Sequence, residues 1–133
     1  MVIVKNIHVS LFNRTILSDI SCSLQAYRIT TFLGGSGAGK TTLLKTVAHL
    51  VPYQQGAIII NDTFIDELTS LQRAKAVGYV FQEGNLFEHL TILDNCVAPL
   101  RIHGYTQEQA QKEALKNLQS LGIEQYSSRY TQF

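Results

Sequence analysis

The tightest limit on what this chain can fold into comes from residues 32–50, FLGGSGAGKTTLLKTVAHL. Four glycines (Gly34, Gly35, Gly37, Gly39) fall within six positions, followed by Lys40, Thr41 and Thr42. Leu43, Leu44, Val47, Leu50 and Val51 then recur at helical spacing. Glycine costs backbone entropy wherever it is ordered, so its concentration marks a turn closed to residues with a Cβ. The run fits G-x-x-x-x-G-K-[ST] over residues 34–41, with an expected apolar strand over 29–33 before it and a helix after it. In such a loop the main chain of Gly34, Gly35, Ser36, Gly37, Ala38 and Gly39 turns N–H donors into one concavity that suits phosphate oxygens. The helix start adds unpaired N–H groups and a positive dipole end. Lys40 brings a mobile positive charge to the β- and γ-phosphates, Thr41 offers a hydroxyl to Mg²⁺, and Thr42 reaches the α-phosphate. The feature points to a nucleotide triphosphate held as its magnesium salt.

Composition narrows the setting. The 133 residues are 45% hydrophobic and 16% charged, enough for the core of one globular domain. A net charge of +1 favours neither nucleic acid nor an anionic membrane surface as partner. No apolar run approaches the roughly 18 residues that span a bilayer, so any tie to a membrane is expected through a partner. MVIVKNIHVS lacks the pattern of a signal peptide. Cys22 and Cys96 match no metal spacing and are expected as half-buried thiols in a reducing cytosol. His8, His49, His89 and His103 show no ligand spacing either.

No repeat, low-complexity tract or long linker interrupts the chain. Residues 2–11 read as a strand with Ile3, Ile7, Val9 and Leu11 on one face, followed by a turn at Asn13 and Arg14. Ile20, Cys22 and Leu24 alternate with serines, the pattern of a half-buried antiparallel strand. The helix from Lys40 is expected to end at Pro52. Gly56 opens a strand over 57–60 that turns at Asn61 and Asp62, and 77–81 read as a further buried strand. Beyond Gln82 the pattern turns helical. Thr91 with Asp94, and Thr106 with Gln109, read as capping boxes, Gly104 as a break and Gly122 as a stop. Ala110, Ala114, Leu115, Leu118 and Leu121 form an apolar stripe. The expected class is α/β.

The quoted segments together resemble the ATP-binding subunit of an ABC transporter along essentially the whole chain. VKNIHVSLFNRTILSDISCSL resembles the antiparallel β subdomain that opens that family's domain. The resemblance implies that Phe12, 22 residues before Gly34, takes the place of the aromatic that stacks on adenine. VGYVFQEGNLFEHLTILDNC resembles the Q-loop segment, so Gln82 is implied as the glutamine whose amide serves Mg²⁺ and the attacking water. Catalytic roles thus fall to Lys40 and Gln82, and metal ligation to Thr41 and Gln82. The run around Phe87 and His89 is most similar to importers of polar amino acids, although Glu88 stands where the family often has Pro and QAYRIT replaces its usual P-G-E turn. The implied fold is a P-loop NTPase of ABC type. Residues 1–82 would form the β subdomain and P-loop core, and 83–133 the start of the helical subdomain. The implied partners are ATP, a transmembrane permease subunit and a second ATP-binding subunit. The place would be the cytoplasmic face of the membrane, with no nucleic acid. The groove of residues 82–87 would receive a short helix of the permease.

SSRYTQF resembles the approach to the family's S-G-G-Q signature, with Phe133 on its first position. No acidic residue fits Walker B, because Asp62, Asp66 and Asp94 do not end a buried apolar strand. These 133 residues alone are therefore expected to hydrolyse ATP poorly and to be marginally stable, with an uncovered sheet edge. Alternatives are a nucleotide-binding stretch with no function of its own, or a non-transporter P-loop ATPase. A DNA-repair or chromosome-organising relative would carry long coiled coils, for which the residues after Gln82 show no sustained heptads. A small-molecule kinase would need an arginine-bearing lid, and only Arg101 and Arg129 follow Gln82.

Overall fold

The computed structural model describes residues 1–131 and forms two compact units, Met1–Tyr79 and Val80–Phe133. Phe133, the expected start of the signature motif, lies outside the described residues.

The first unit is built on an antiparallel sheet of β1 (Val2–Leu11), β2 (Arg14–Leu24), β3 (Gln55–Ile60) and β4 (Thr63–Phe64), in the order β2-β1-β3-β4. Both tight hairpins use two left-handed residues, Phe12 and Asn13 (φ 49° and 59°) and Asn61 and Asp62 (φ 46° and 66°). That geometry matches the right-handed twist of the flanking strands. The first turn therefore sits one residue earlier than expected, at Phe12 and Asn13, because Arg14 already pairs with Leu11.

The buried face of β1 also differs from the simple alternation. Val4, Ile7 and Val9 are buried, whereas Ile3 and Leu11 are only partly so. A register shift between Val4 and Ile7 turns the strand over, with Asn6 and Asp19 both left-handed (φ 47° and 54°). The Asn6 amide donates to Asp19 Oδ1 at 2.7 Å, and the Asn6 N–H to Ser21 Oγ at 2.8 Å, which repairs the broken ladder. Gly56 is forced by the same kink, since a Cβ there would stand 2.4 Å from the Lys5 carbonyl oxygen.

Two helices, α1 (Lys40–Val47) and α2 (Ser70–Ala76), complete this unit. Leu43 of α1 joins Val4, Ile7, Val9, Leu17, Ile58, Ile60 and Ile65 in one core. The end of α1 comes before Pro52. His49 adopts φ 56°, its N–H bonds the Thr46 carbonyl, and the Leu50 N–H reaches back to Lys45 at 2.8 Å. This closing motif satisfies the last carbonyls without help from proline.

The expected strands over 29–33 and 77–81 do not form. Ile29, Leu33 and Val80 are almost fully exposed, at 99%, 89% and 93%. An apolar run makes a strand only when a neighbour completes the ladder, and neither segment is given one by the described residues.

The second unit packs α3 (Ile92–Ile102) against α4 (Gln107–Ser120). Thr91 and Thr106 cap them as expected; the reciprocal box is complete only at Thr106 and Gln109. Ala110 and Ala114 are small enough to bring α4 against Val97, Leu93, Cys96 and Leu100. Leu118 is buried, but Leu115 and Leu121 of the expected stripe are exposed, because the alanines and Leu118 already fill the contact face. Gly122 (φ 70°) ends the helix with the Ile123 N–H on the Leu118 carbonyl. Among the described residues no helix is long and apolar enough to cross a membrane.

Candidate functional site

The glycine turn leads directly into α1. Gly37 (φ 78°) and Gly39 (φ 88°) hold the left-handed conformations that make it sharp. Gly34 and Gly35 do not: a Cβ on either would find room, so the expectation that every glycine of the loop excludes a side chain holds only for the later ones. Gly39 is the helix N-cap. The first intrahelical bond runs from the Leu43 N–H to the Gly39 carbonyl at 2.8 Å, so the amides of Lys40, Thr41 and Thr42 precede the ladder. No side chain caps this end and its first turn carries no acidic residue, so nothing in α1 itself offsets its positive pole.

Lys40 folds back over the turn. Its Nζ donates to the carbonyl oxygens of Gly34 at 2.8 Å and Gly35 at 2.7 Å. A concavity of about 250 Å³ lies beside it, lined by Gly37, Ala38, Gly39, Lys40, Thr41 and Thr42, with Ile16 of β2 as the apolar wall. Gly34 and Gly35 thus contribute carbonyls to Lys40, and Ser36 is exposed on the turn without lining the hollow. This donor set suits a polyphosphate: unpaired amides, an uncompensated helix start and an ammonium held by neutral carbonyls it can exchange for phosphate oxygens. The Thr41 hydroxyl is exposed at the rim, as a ligand to a hydrated Mg²⁺ would need to be.

Phe12 belongs to the same unit and lies in the β1–β2 turn with its ring fully exposed. Its φ of 49° is the left-handed value that the two-residue hairpin requires of its first residue. Gln82 lies in the second unit. Its side chain is exposed, has no hydrogen-bond partner among the described residues, and does not end a strand, since 77–81 form none.

Two constellations escaped the sequence reading. Asn95 of α3 clamps the chain after Gln82: its Oδ1 accepts from the Phe87 N–H at 2.8 Å, and its Nδ2 donates to the carbonyls of Phe87 (3.1 Å) and Thr91 (3.0 Å). The Thr131 hydroxyl donates to the same Phe87 carbonyl at 3.1 Å. A largely apolar hollow of about 410 Å³ lies alongside, lined by Leu86, Ile92, Ile123, Tyr126, Arg129 and Tyr130. The only sequence signal was an asparagine four residues after a helix cap. The second constellation joins the end of α1 to the turn Ile65–Glu67. His49 Nε2 lies 3.0 Å from Asp66 Oδ1, and the Tyr53 hydroxyl donates to Asp66 Oδ2. Burial and this carboxylate push the Tyr53 pKa up to about 12; the hydrogen bond from Tyr53, and then His49, hold Asp66 below its ordinary value. Among the described residues no group of three or more His, Cys, Asp or Glu comes together.

The chain is similar to known proteins. The family described as "ABC transporter" matches residues 17–132. The methionine import ATP-binding protein MetN of Clostridioides difficile is 32% identical over 126 residues, which cover 92% of this chain and 39% of that protein. The glutamate/aspartate import ATP-binding protein GltL of Escherichia coli is 32% identical over 133 residues, covering 98% of this chain and 55% of that protein. The chain thus spans about half the length of the curated relatives it matches. Among solved structures, the ATP-binding cassette MJ0796, in a dimeric post-hydrolysis state with ADP and Pi, superposes with a TM-score of 0.85. It has 24% identity and covers 98% of this chain and 62% of the other, a likeness of fold.

Proposed function

The chain belongs to the ABC transporter family and is homologous to ATP-binding subunits of amino-acid importers, and from that premise we propose that it binds Mg-ATP on the loop of residues 34–42. The observation that carries this is the pairing of Lys40 with the Gly34 and Gly35 carbonyls beside an uncapped helix start. Lys40 and the amides of residues 37–42 hold the β- and γ-phosphates, that of Ala38 by giving up its 3.3 Å hydrogen bond to the Gly35 carbonyl; Thr42 holds the α-phosphate, and Phe12 stacks on adenine. Thr41 ligates Mg²⁺, which when bound supplies charge neutralisation at the β- and γ-oxygens. Gln82 is assigned as second ligand and water-orienting group by its motif, not by its placement.

In this reading residues 1–133 form one partial domain of a longer ATPase. Hydrolysis would be completed by residues and a second subunit beyond this chain, and would drive solute uptake through a membrane permease. The groove expected at residues 82–87 would take a short permease helix; the largely apolar hollow that includes Leu86 and Tyr130, next in the chain to the Phe87 that Asn95 binds, supports that reading. The protein would then work on the cytoplasmic face of the membrane. Titration with Mg-ATP, followed by displacement with inorganic tripolyphosphate, tests the site. Saturable binding that tripolyphosphate reverses is expected; binding that tripolyphosphate leaves intact would overturn it.

A further inference from the structure

We propose that Gln54 is a positioning residue for the nucleobase, fixing the turn that carries Phe12. The proposal rests on the reading of Phe12 as the adenine-stacking ring and deepens it.

Two residues of a tight hairpin cannot set their own direction in space. The direction of the Phe12 turn is set by whatever holds the last residues of β1. On one side β2 does so, with Ser10 paired to Thr15 and Leu11 to Arg14. A two-stranded ribbon is marginal in water and twists freely, so a third strand matters. That third strand is β3, but its ladder with β1 ends at His8 and Gln55. Gln54 extends it by two routes. Its main-chain N–H donates to the His8 carbonyl at 3.0 Å. Its side chain then lies along β1: Oε1 accepts from the Ser10 N–H at 2.8 Å, and Nε2 approaches the Ser10 carbonyl at 3.5 Å. The carboxamide thus stands in for one more peptide group of β3. It makes the last tie from the third strand, two residues before Phe12.

The tie is local. Gln54 is exposed and contributes nothing to the buried core, so its replacement leaves the sheet standing and frees only the hairpin tip. Phosphate binding depends on residues 34–42 and does not pass through Ser10. The contribution of Gln54 therefore falls on the adenine-dependent part of nucleotide affinity. A general structural role would weaken nucleotide and phosphate chain alike.

The experiment is an equilibrium titration of the protein with Mg-ATP and, separately, with magnesium tripolyphosphate, for the parent, Gln54→Ala, Gln54→Glu, Phe12→Ala and the Phe12→Ala/Gln54→Ala pair. Gln54→Ala is expected to weaken Mg-ATP about fivefold, the worth of one net hydrogen bond, and to leave tripolyphosphate unchanged. Gln54→Glu keeps an acceptor for the Ser10 N–H but turns its other oxygen towards the Ser10 carbonyl, and is expected to weaken Mg-ATP less than Gln54→Ala does and to leave tripolyphosphate unchanged. In the Phe12→Ala background the Gln54 change is expected to have no further effect. If Phe12→Ala leaves Mg-ATP affinity unaltered, the stacking reading falls and this proposal with it. If Phe12→Ala weakens Mg-ATP but Gln54→Ala does not, or weakens both probes equally, the proposal alone falls.

Discussion

Gly39 lies against Leu17 so closely that a Cβ built on it would stand 2.8 Å from Leu17 Cδ2. The contact joins the glycine turn to β2, the strand that also brings Ile16 to the wall of the hollow. Gly39→Ala therefore meets two penalties, a left-handed φ of 88° and a clash with a buried leucine. It is expected to cost about 2–4 kcal/mol in urea unfolding. Gly37→Ala has the left-handed φ but open space, and is expected to cost about 1 kcal/mol. Equal losses in the two variants would show that the Leu17 contact does not matter.

Lys40 makes its hydrogen bonds to exposed carbonyls, so removing it leaves no buried group unpaired. Lys40→Ala is expected to preserve the far-UV circular dichroism spectrum while lowering Mg-ATP affinity at least about a hundredfold, the worth of two charge-assisted hydrogen bonds. Unchanged affinity would remove the central assignment of the loop.

The Phe87 N–H is bound by one side chain, that of Asn95, while the Phe87 carbonyl is shared by Asn95 and Thr131. Asn95→Ala strips the partner from the Phe87 N–H and is expected to cost about 1–2 kcal/mol. The sharper readout is amide hydrogen exchange, which should quicken at Phe87 and leave α4 unaffected. Unchanged protection at Phe87 would mean that Thr131 alone holds the segment.

Stability should fall at both ends of the pH scale through Asp66 and Tyr53. The folded pKa of Asp66 is depressed, so its contribution is present above the unfolded value of about 3.9 and is lost as pH falls through the folded one. Tyr53 is raised to about 12, so its contribution is present below the unfolded value of about 10 and is lost as pH climbs towards 12. Asp66 is largely exposed, so the acid limb should be shallow, under about 1 kcal/mol. Asp66→Asn should flatten both limbs in urea midpoints measured against pH; a profile identical to the parent's would dismiss the pair as a stabilising link.

The exposed segments carry a solubility cost. With Ile29, Leu33 and Val80 nearly bare, the 133-residue chain is expected to scatter light increasingly with concentration and to lack a cooperative melt at high temperature. Leu33→Lys with Val80→Lys should lower the scattering without lowering thermal stability. A sharp, reversible transition in the unaltered chain would contradict this.

Local chemistry was legible in the sequence wherever a few neighbouring residues settle it. The P-loop spacing placed the start of α1, Thr91, Thr106 and Gly122 placed helix ends, and Asn61 with Asp62 placed a hairpin, because caps and left-handed turns depend on side chains within one or two turns of chain. Relations between distant segments were decided only by the tertiary structure. The β1 bulge needs Asn6, Asp19 and Gly56 together, Asn95 acts on a loop eight residues away, and Gln54 completes a ladder 44 residues back along the chain. Strand formation shows the contrast most plainly. Residues 29–33 and 77–81 have the composition of buried strands, yet a strand exists only through hydrogen bonds to a neighbour, and no property of the segment itself can supply that neighbour.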